Sequence, residues 1–285
     1  MYSSKNKHKI TNEQEKNNMT VAEHTIDDSV DKLLVISDIH GFKHPLDYLD
    51  KIRTNYSSYK IINNGDLCCG GLDVPYVIDW LRENVGELST RGNHDDTLIF
   101  KKGDPDYKPG SEQHDYLKLN QAQIDYVENM PYDLKLNWRG KEIQITHGHT
   151  ARDGSGCSWR ATPDEQIEKL TVPGADLCIS SHTHYAYIHK GETGIYANTG
   201  SLSITINGVR ESGTVHYQKG ESDLGDPNEL HQSFLEISCE NGELELKIIR
   251  LDLDRDMMIQ GLLDGGHGNA EVYSRWLREG IYPQS

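Results

Sequence analysis

The chain has 285 residues, with 29 lysines and arginines against 45 aspartates and glutamates, a formal net charge of -16; that length suits one large domain with tails and is ample for a hydrophobic core. A field of this sign repels anionic surfaces at long range, which excludes a nucleic-acid duplex as the expected partner and requires a local positive centre for any phosphate ligand. No apolar run nears the ~20 residues that cross a bilayer and no signal-peptide core follows the first lysines, while five scattered cysteines (Cys68, Cys69, Cys157, Cys178, Cys239) have neither zinc-finger nor disulfide-framework spacing, so a reducing, cytoplasmic setting is expected.

Residues 1–30 are polar, lack a periodic apolar pattern and are expected to be disordered or loosely attached; Met19 within them is a second candidate start. They contribute to a mean hydropathy of -0.69. Residues 32–37 (KLLVIS) then read as a buried strand, ending at Asp38-Ile39-His40-Gly41. A helix is expected over 44–55, with Leu46, Leu49 and Ile52 on one face. A second strand over 59–63 ends at Gly65-Asp66. Asp73 is a candidate N-cap for a helix through Asn84, with Val77, Ile78 and Leu81 as its apolar stripe. A weaker strand over 87–90 leads to Arg91-Gly92-Asn93-His94.

The order strand, loop, helix is thus repeated, and each loop after a strand carries polar residues able to hold a metal. In α/β folds such sites gather at the carboxyl ends of strands. Further on, 120–130 reads as a helix stopped by Pro131, and 141–146 as a strand ending at His147. Thr162-Pro163-Asp164-Glu165 is a helix start with Thr as N-cap, Pro at N1 and Glu at N3. A strand over 176–181 ends at His182-Thr183-His184. Alternating segments at 185–189, 195–198, 202–206, 214–217, 233–238 and 243–250 read as strands, mostly in antiparallel hairpins, with Asn241-Gly242 as the last turn. Residues 261–268 read as a glycine-rich loop and 270–278 as a short terminal helix.

Asp38 and His40 lie two apart at a strand end, where an extended backbone would point both the same way. With Asp66, Asn93, His147, His182 and His184 they form a set of oxygen and imidazole donors suited to manganese, iron or zinc. Two such ions ~3.5–4 Å apart can grip the attacking and leaving oxygens of an in-line displacement and lower the pKa of a bound water.

The order Asp38-x-His40, Gly65-Asp66, Gly92-Asn93-His94-Asp95, His147 and His182-x-His184 resembles the calcineurin-like metallophosphoesterases, from about residue 32 to about 250. The resemblance implies an α/β fold, a two-sheet β-sandwich flanked by helices. It divides the chain into a segment at 1–30, a metallophosphoesterase domain at 31–250 and an extension at 251–285 with no assigned role. It implies two divalent metal ions: Asp38, His40 and His184 on the first, Asn93, His147 and His182 on the second, Asp66 bridging. His94 would bind no metal and would act on the leaving oxygen of a phosphate ester, monoester or diester. Arg152 and Arg160, in the loop after His147, are candidate phosphate contacts.

The chain also departs from the family pattern. Protein-phosphatase-like members read G-D-x-x-D-R-G where this chain has Gly65-Asp66-Leu67-Cys68-Cys69-Gly70-Gly71. Cys69 thus stands where their Asp supports the catalytic His, and Gly70 where their Arg holds phosphate. That tells against a Ser/Thr-protein-phosphatase or dinucleoside-polyphosphate hydrolase. Asn198-Thr199-Gly200-Ser201 resembles the N-P-G-S segment of the small phosphodiesterase-like branch, with Thr199 in place of Pro. Ser181, where Gly is usual, reads as a minor change. A non-catalytic scaffold on the same fold should lack His94 or several ligands, and none is missing.

Overall fold

Along β2 (Lys32–Ile36) Leu33 and Val35 face one way, Leu34 and Ile36 the other, and all four are fully buried. A strand apolar on both faces needs an apolar layer on each side. One layer is a second sheet and the other is helical. The computed structural model describes residues 20–150, 154, 156–192, 194–205, 209–210, 213–214, 221–223 and 231–280.

The first sheet has five strands. β2 lies parallel to β3 (Tyr59–Asn64), which is followed at the edge by β4 (Ser89–Thr90). On its other side β2 runs antiparallel to β13 (Gln232–Glu240), which forms a hairpin with β14 (Glu243–Leu251) around Asn241 and Gly242. The second sheet has seven strands in the order β1-β5-β6-β7-β9-β8-β12. These are β1 (Val21–Thr25), β5 (Asp133–Trp138), β6 (Lys141–Thr146), β7 (Leu177–Ser180), β8 (Tyr187–Gly191), β9 (Gly194–Asn198) and β12 (Glu221–Asp223). A separate pair joins β10 (Val209–Arg210) to β11 (Gly213–Thr214).

Leu33, Val35, Ile62, Leu235 and Ile237 of the first sheet pack against Leu134, Leu136, Ile143, Ile145, Leu177 and Ile179 of the second. The outer face of the five-stranded sheet, with Leu34, Ile36 and Phe234, is covered by α1 (Lys43–Ile52), α2 (Val74–Asn84), α5 (Gln121–Glu128), α7 (Arg255–Asp264) and α8 (Ala270–Glu279). Cys178, Tyr187 and Tyr196 on the outer face of the seven-stranded sheet meet Ile167 of α6 (Pro163–Leu170). The fold is therefore a two-sheet sandwich flanked by helices, as the family pattern implies. Two short helices, α3 (Asn93–Lys101) and α4 (Glu112–Tyr116), lie beside the carboxyl end of β4. Among the described residues no helix is long and apolar enough to cross a membrane.

Several sequence expectations are corrected. Residues 21–25, inside the segment expected to be loosely attached, form β1 and pair in parallel with β5 from Val21↔Asp133 onward. An edge strand with alternating half-buried residues gains backbone hydrogen bonds without needing an apolar run; residues 1–19 lie outside the described part. β5, α3, α4 and α7 were not anticipated. α7 takes residues 261–264 from the expected loop, and 201–205 are not a strand but bends stitched to the loop after β2. Of 214–217, only Thr214 is described, in β11. The alternating segments at 185–189 and 195–198 do form an antiparallel hairpin, β8 with β9, and β9 in turn lies parallel to β7. Asp73 occupies the N-cap of α2 without capping it, because its carboxylate accepts from the N–H of Lys43 at the start of α1 (3.4 Å).

Candidate metal centre and active site

The parallel strands β2, β3 and β4 of one sheet and β6 and β7 of the other end at a common rim. The loops that follow are zipped together by backbone hydrogen bonds. Asp38 N–H donates to Gly65 O (3.0 Å), His40 N–H to Asp66 O (3.0 Å) and Ser181 N–H to His147 O (2.9 Å). The expected extended geometry at Asp38 and His40 is not what brings them together. Both are left-handed (φ 53° and 49°), as are Asp66 (55°), His182 (67°) and His184 (57°). Residues without Gly's freedom hold such values only where their surroundings over-determine them, typically at functional sites. Gly92 is required for a different reason: a Cβ there would stand 2.1 Å from Asp66 Oδ1.

The side chains converge in two overlapping groups. Asp38, His40 and His184 form one, Asp66, His147 and His182 the other, and Asp66 also lies within reach of His40 and His94. Within each set the donor atoms of the residues lie no more than 4.8 Å apart. Each of three imidazoles has its Nδ1 against a carbonyl: His40 on Cys69 O (2.8 Å), His147 on Asn64 O (2.7 Å) and His184 on Ile204 O. A carbonyl only accepts, so Nδ1 carries the proton and a bare Nε2 faces the rim.

Those bare atoms crowd other acceptors. His40 Nε2 stands 3.1 Å from His184 Nε2, which is 3.1 Å from Asp38 Oδ1, and His147 Nε2 is 3.1 Å from Asp66 Oδ2. Asp38 Oδ1, Asn93 Oδ1 and His147 Nε2 are buried without a hydrogen-bond partner. Lone pairs so arranged repel unless a cation lies among them. Donors ~2.1 Å from one cation and ~90° apart stand ~3 Å from each other. The residues present therefore fit divalent metal ions.

The electrostatics agree. Burial opposes the charge on Asp38 and Asp66, yet for each the adjacent histidines hold the carboxyl well below its usual range. Burial likewise opposes a proton on His147, but Asp66 and Asp38 beside it push its pKa up to about 9. His182 is pushed down to about 3 by burial and by the neighbouring His147. The acids thus remain anionic and demand positive charge, from a protonated His147 or from metal.

Residues 31–186, more than half of the chain, match the calcineurin-like phosphoesterases. The chain belongs to that family. No curated protein matches the sequence. Among solved structures, a metallophosphoesterase from Sphaerobacter thermophilus is similar with a TM-score of 0.65 at 16% identity, over 88% of this chain and 100% of that one. A hypothetical protein from Pyrococcus horikoshii is similar with the same score and identity, over 88% and 99%. At such identity the likeness is one of fold.

Members of a calcineurin-like phosphoesterase family need a pocket beside the donors, and one of about 290 Å³ lies there. Its walls include His94, Asn93, His182, Trp159, Tyr273 and Trp276. The indole of Trp276 stacks on His184 (5.6 Å between centroids, 12° between planes) and donates to Thr205 O (3.1 Å). The aromatic wall from α8 was invisible in the sequence, where no spacing links 270–279 to the motifs. Arg160 does not line the pocket; its guanidinium lies 4.5 Å over Trp159, which does. Arg152 lies outside the described residues. His149, two residues beyond His147, has its ring 5.8 Å from His182 but joins neither donor group.

Two acids support the centre, and the sequence offered no sign of one of them, Glu112. Asp95, fully buried, accepts from the N–H groups of Asp66, Leu67 and Gly92 and so ties the loops after β3 and β4 together. Burial and the nearby Asp66 push its pKa up to about 6. Glu112 Oε1 lies 2.7 Å from His94 Nδ1. Nor is Ser181 a minor change, since its hydroxyl donates to Asn64 O (3.0 Å) and lies 2.9 Å from His147 Nδ1. The Asn198–Ser201 segment braces two of the rim loops, with Asn198 Nδ2 donating to Ser181 O (2.8 Å) and Ser201 Oγ to Asp38 O (2.9 Å).

Proposed function

We propose that this protein is a metal-dependent phosphoesterase that hydrolyses a small phosphodiester or phosphomonoester at a binuclear centre. The observation that carries the reading is Asp66, which stands between the two donor groups with one oxygen on the backbone of His94 and the other on the His147 side. Asp38, His40 and His184 would hold one ion, Asn93, His147 and His182 the second, and Asp66 both. When bound, the ions supply an activated water and positive charge against the phosphate oxygens.

The chain's own residues do the rest. His94, in the first turn of α3 and beside Asp66, is placed to hold a proton for the leaving oxygen; such general acid catalysis is worth roughly 10²–10⁴-fold. Burial opposes the protonated ring, while Cys69, Asp66 and Glu112 keep its pKa well above the usual value. Trp159, Tyr273 and Trp276 give the pocket aromatic walls. A pocket of this size supports a small organic ester. A protein-phosphatase-like arginine at position 70 finds no support, because a Cβ at Gly70 would stand 3.2 Å from the ring of Tyr273. The Asn198–Ser201 brace favours the small phosphodiesterase-like branch.

Purified protein loaded with manganese, iron or zinc should bind about two ions per chain and turn over bis-p-nitrophenyl phosphate or p-nitrophenyl phosphate. Asp66→Asn should lose metal and activity together. His94→Ala should keep its metal and lose kcat by about 10²–10⁴-fold on an ester with a poor leaving group such as diphenyl phosphate, and far less on the nitrophenyl esters. Metal-loaded protein that cleaves no phosphate ester overturns the proposal.

A further inference from the structure

The acid that would sit in the loop after β3 is missing, since that position is Cys69. Its place beside His94 is taken from elsewhere. Cys69, His94 and Glu112 present donor atoms within 4.8 Å of one another, and the closest contact among them with a charged partner is Glu112 Oε1 to His94 Nδ1 at 2.7 Å. Glu112 opens α4, and α4 is pinned against the same loop. Asp115, one turn on and fully buried, has its charge favoured by the nearby backbone N–H of Cys69. The carboxylate is therefore carried on a piece of structure fixed to the loop it serves. His94 lines the pocket, whereas Glu112 does not.

We propose that Glu112 is the positioning residue for His94 in this protein, a carboxylate supplied from α4 in place of one on the β3 loop. The carboxylate accepts from Nδ1–H, which fixes the ring plane and leaves Nε2 as the nitrogen that meets the substrate. It acts only through His94, which distinguishes it from a metal ligand or a phosphate contact. The same geometry makes the β3 loop and α4 interchangeable sources of the acid, since Cys69 and Glu112 flank one ring. This inference rests on the proposed phosphoesterase activity for its kinetic consequence, but not for the contact itself.

The test compares diphenyl phosphate, whose phenol leaves poorly, with bis-p-nitrophenyl phosphate, whose nitrophenol leaves without much help. Metal-loaded full-length Glu112→Gln should lose kcat on diphenyl phosphate by about 10–100-fold and on bis-p-nitrophenyl phosphate by less than about 3-fold, with KM and metal content unchanged. Cys69→Asp added to Glu112→Gln should recover most of the loss. In parallel, the hydrogen-bonded Nδ1–H of His94, assigned in proton spectra by its disappearance in His94→Ala, should be present in the wild type and move upfield in Glu112→Gln, whose neutral amide oxygen accepts more weakly. Equal loss on both esters, no loss on either, or an Nδ1–H resonance unmoved by Glu112→Gln overturns the inference. If the wild type cleaves no ester, the proposed function falls, while the resonance still decides the contact.

Discussion

The two sheets bring different chemistry to the rim. The loops of the five-stranded sheet carry Asp38, Asp66 and Asn93 with His40 and His94, so every candidate carboxylate of the centre is on this side. The seven-stranded sheet brings imidazoles alone, His147, His182 and His184. Acid lies on one side and neutral acceptor on the other, and direct contact between them is acceptor against acceptor. Such a seam needs a cation, because without one it can close only by placing a proton where Asp66 and Asp38 invite it, on His147. The difference teaches that a bound cation would add to the hydrogen bonds from His147 and Ser181 to Asn64 O that already join the sheets at this end, whereas the middle is held by the apolar layer between them.

The sharpest way to break the comparison is at Gly92, on the acidic side. A Cβ there would lie 2.1 Å from Asp66 Oδ1 and 2.5 Å from Asp66 N, and the backbone has no rotamer to escape with. Gly92→Ala should displace Asp66, costing about 1–3 kcal/mol or more in urea unfolding. Metal and activity should go together, with kcat falling by more than roughly 10³-fold, a drop that metal analysis and steady-state assays would detect. Near-normal metal content in this variant would mean that Asp66 does not join the two sides.

Removing the metal probes the seam without touching the sequence. A cation held at ~100 times its Kd adds ~2.7 kcal/mol to the folded state. For a domain of this size ~1 kcal/mol moves Tm by ~2–4 °C. Chelation with EDTA should therefore lower Tm by about 5–10 °C in calorimetry, with recovery on adding manganese. A Tm indifferent to chelator would leave the facing acceptors unexplained.

The uneven legibility of the site follows from the same division. Asp38, Asp66, Asn93, His147 and His182 were readable because each ends a strand, and strand ends in such folds point to one rim. The left-handed backbone of Asp38, Asp66 and His182 was not readable, since it is imposed by bonds between loops, such as Asp38 N–H to Gly65 O, that belong to no local pattern. Glu112 was hidden for a similar reason: α4 is five residues long, too short for apolar periodicity, and its partner lies 18 residues away. α3 was missed because its first turn is Asn93-His94-Asp95-Asp96, which gives no apolar stripe at its start. Trp276 and Tyr273 reach the pocket from a helix whose contact with His184 depends on the whole five-stranded side being assembled.

The smallest effect concerns the acid that carries Glu112 into place. Asp115 is buried, and burial pushes its pKa up to about 6 although Lys118 and the N–H of Cys69 favour its charge. Its Oδ2 has no hydrogen-bond partner. A carboxyl raised in the folded state keeps its proton longer than the unfolded chain does. Its contribution is therefore fully present below the ordinary value near 4 and is lost as pH rises through about 6. Asp115→Asn holds the neutral form at every pH. The difference in unfolding free energy between variant and wild type should shift in the variant's favour by about 2–3 kcal/mol from pH 4 to pH 7, read by urea unfolding at both. The sign matters more than the size, and the low-pKa acids Asp38 and Asp66 do not mask it, because they lose their contribution as pH falls below about 4 and change little from pH 4 to pH 7. A pH-independent difference would mean that Asp115 is charged throughout, and that α4 is anchored by an ion pair with Lys118 rather than by a neutral carboxyl against the Cys69 backbone.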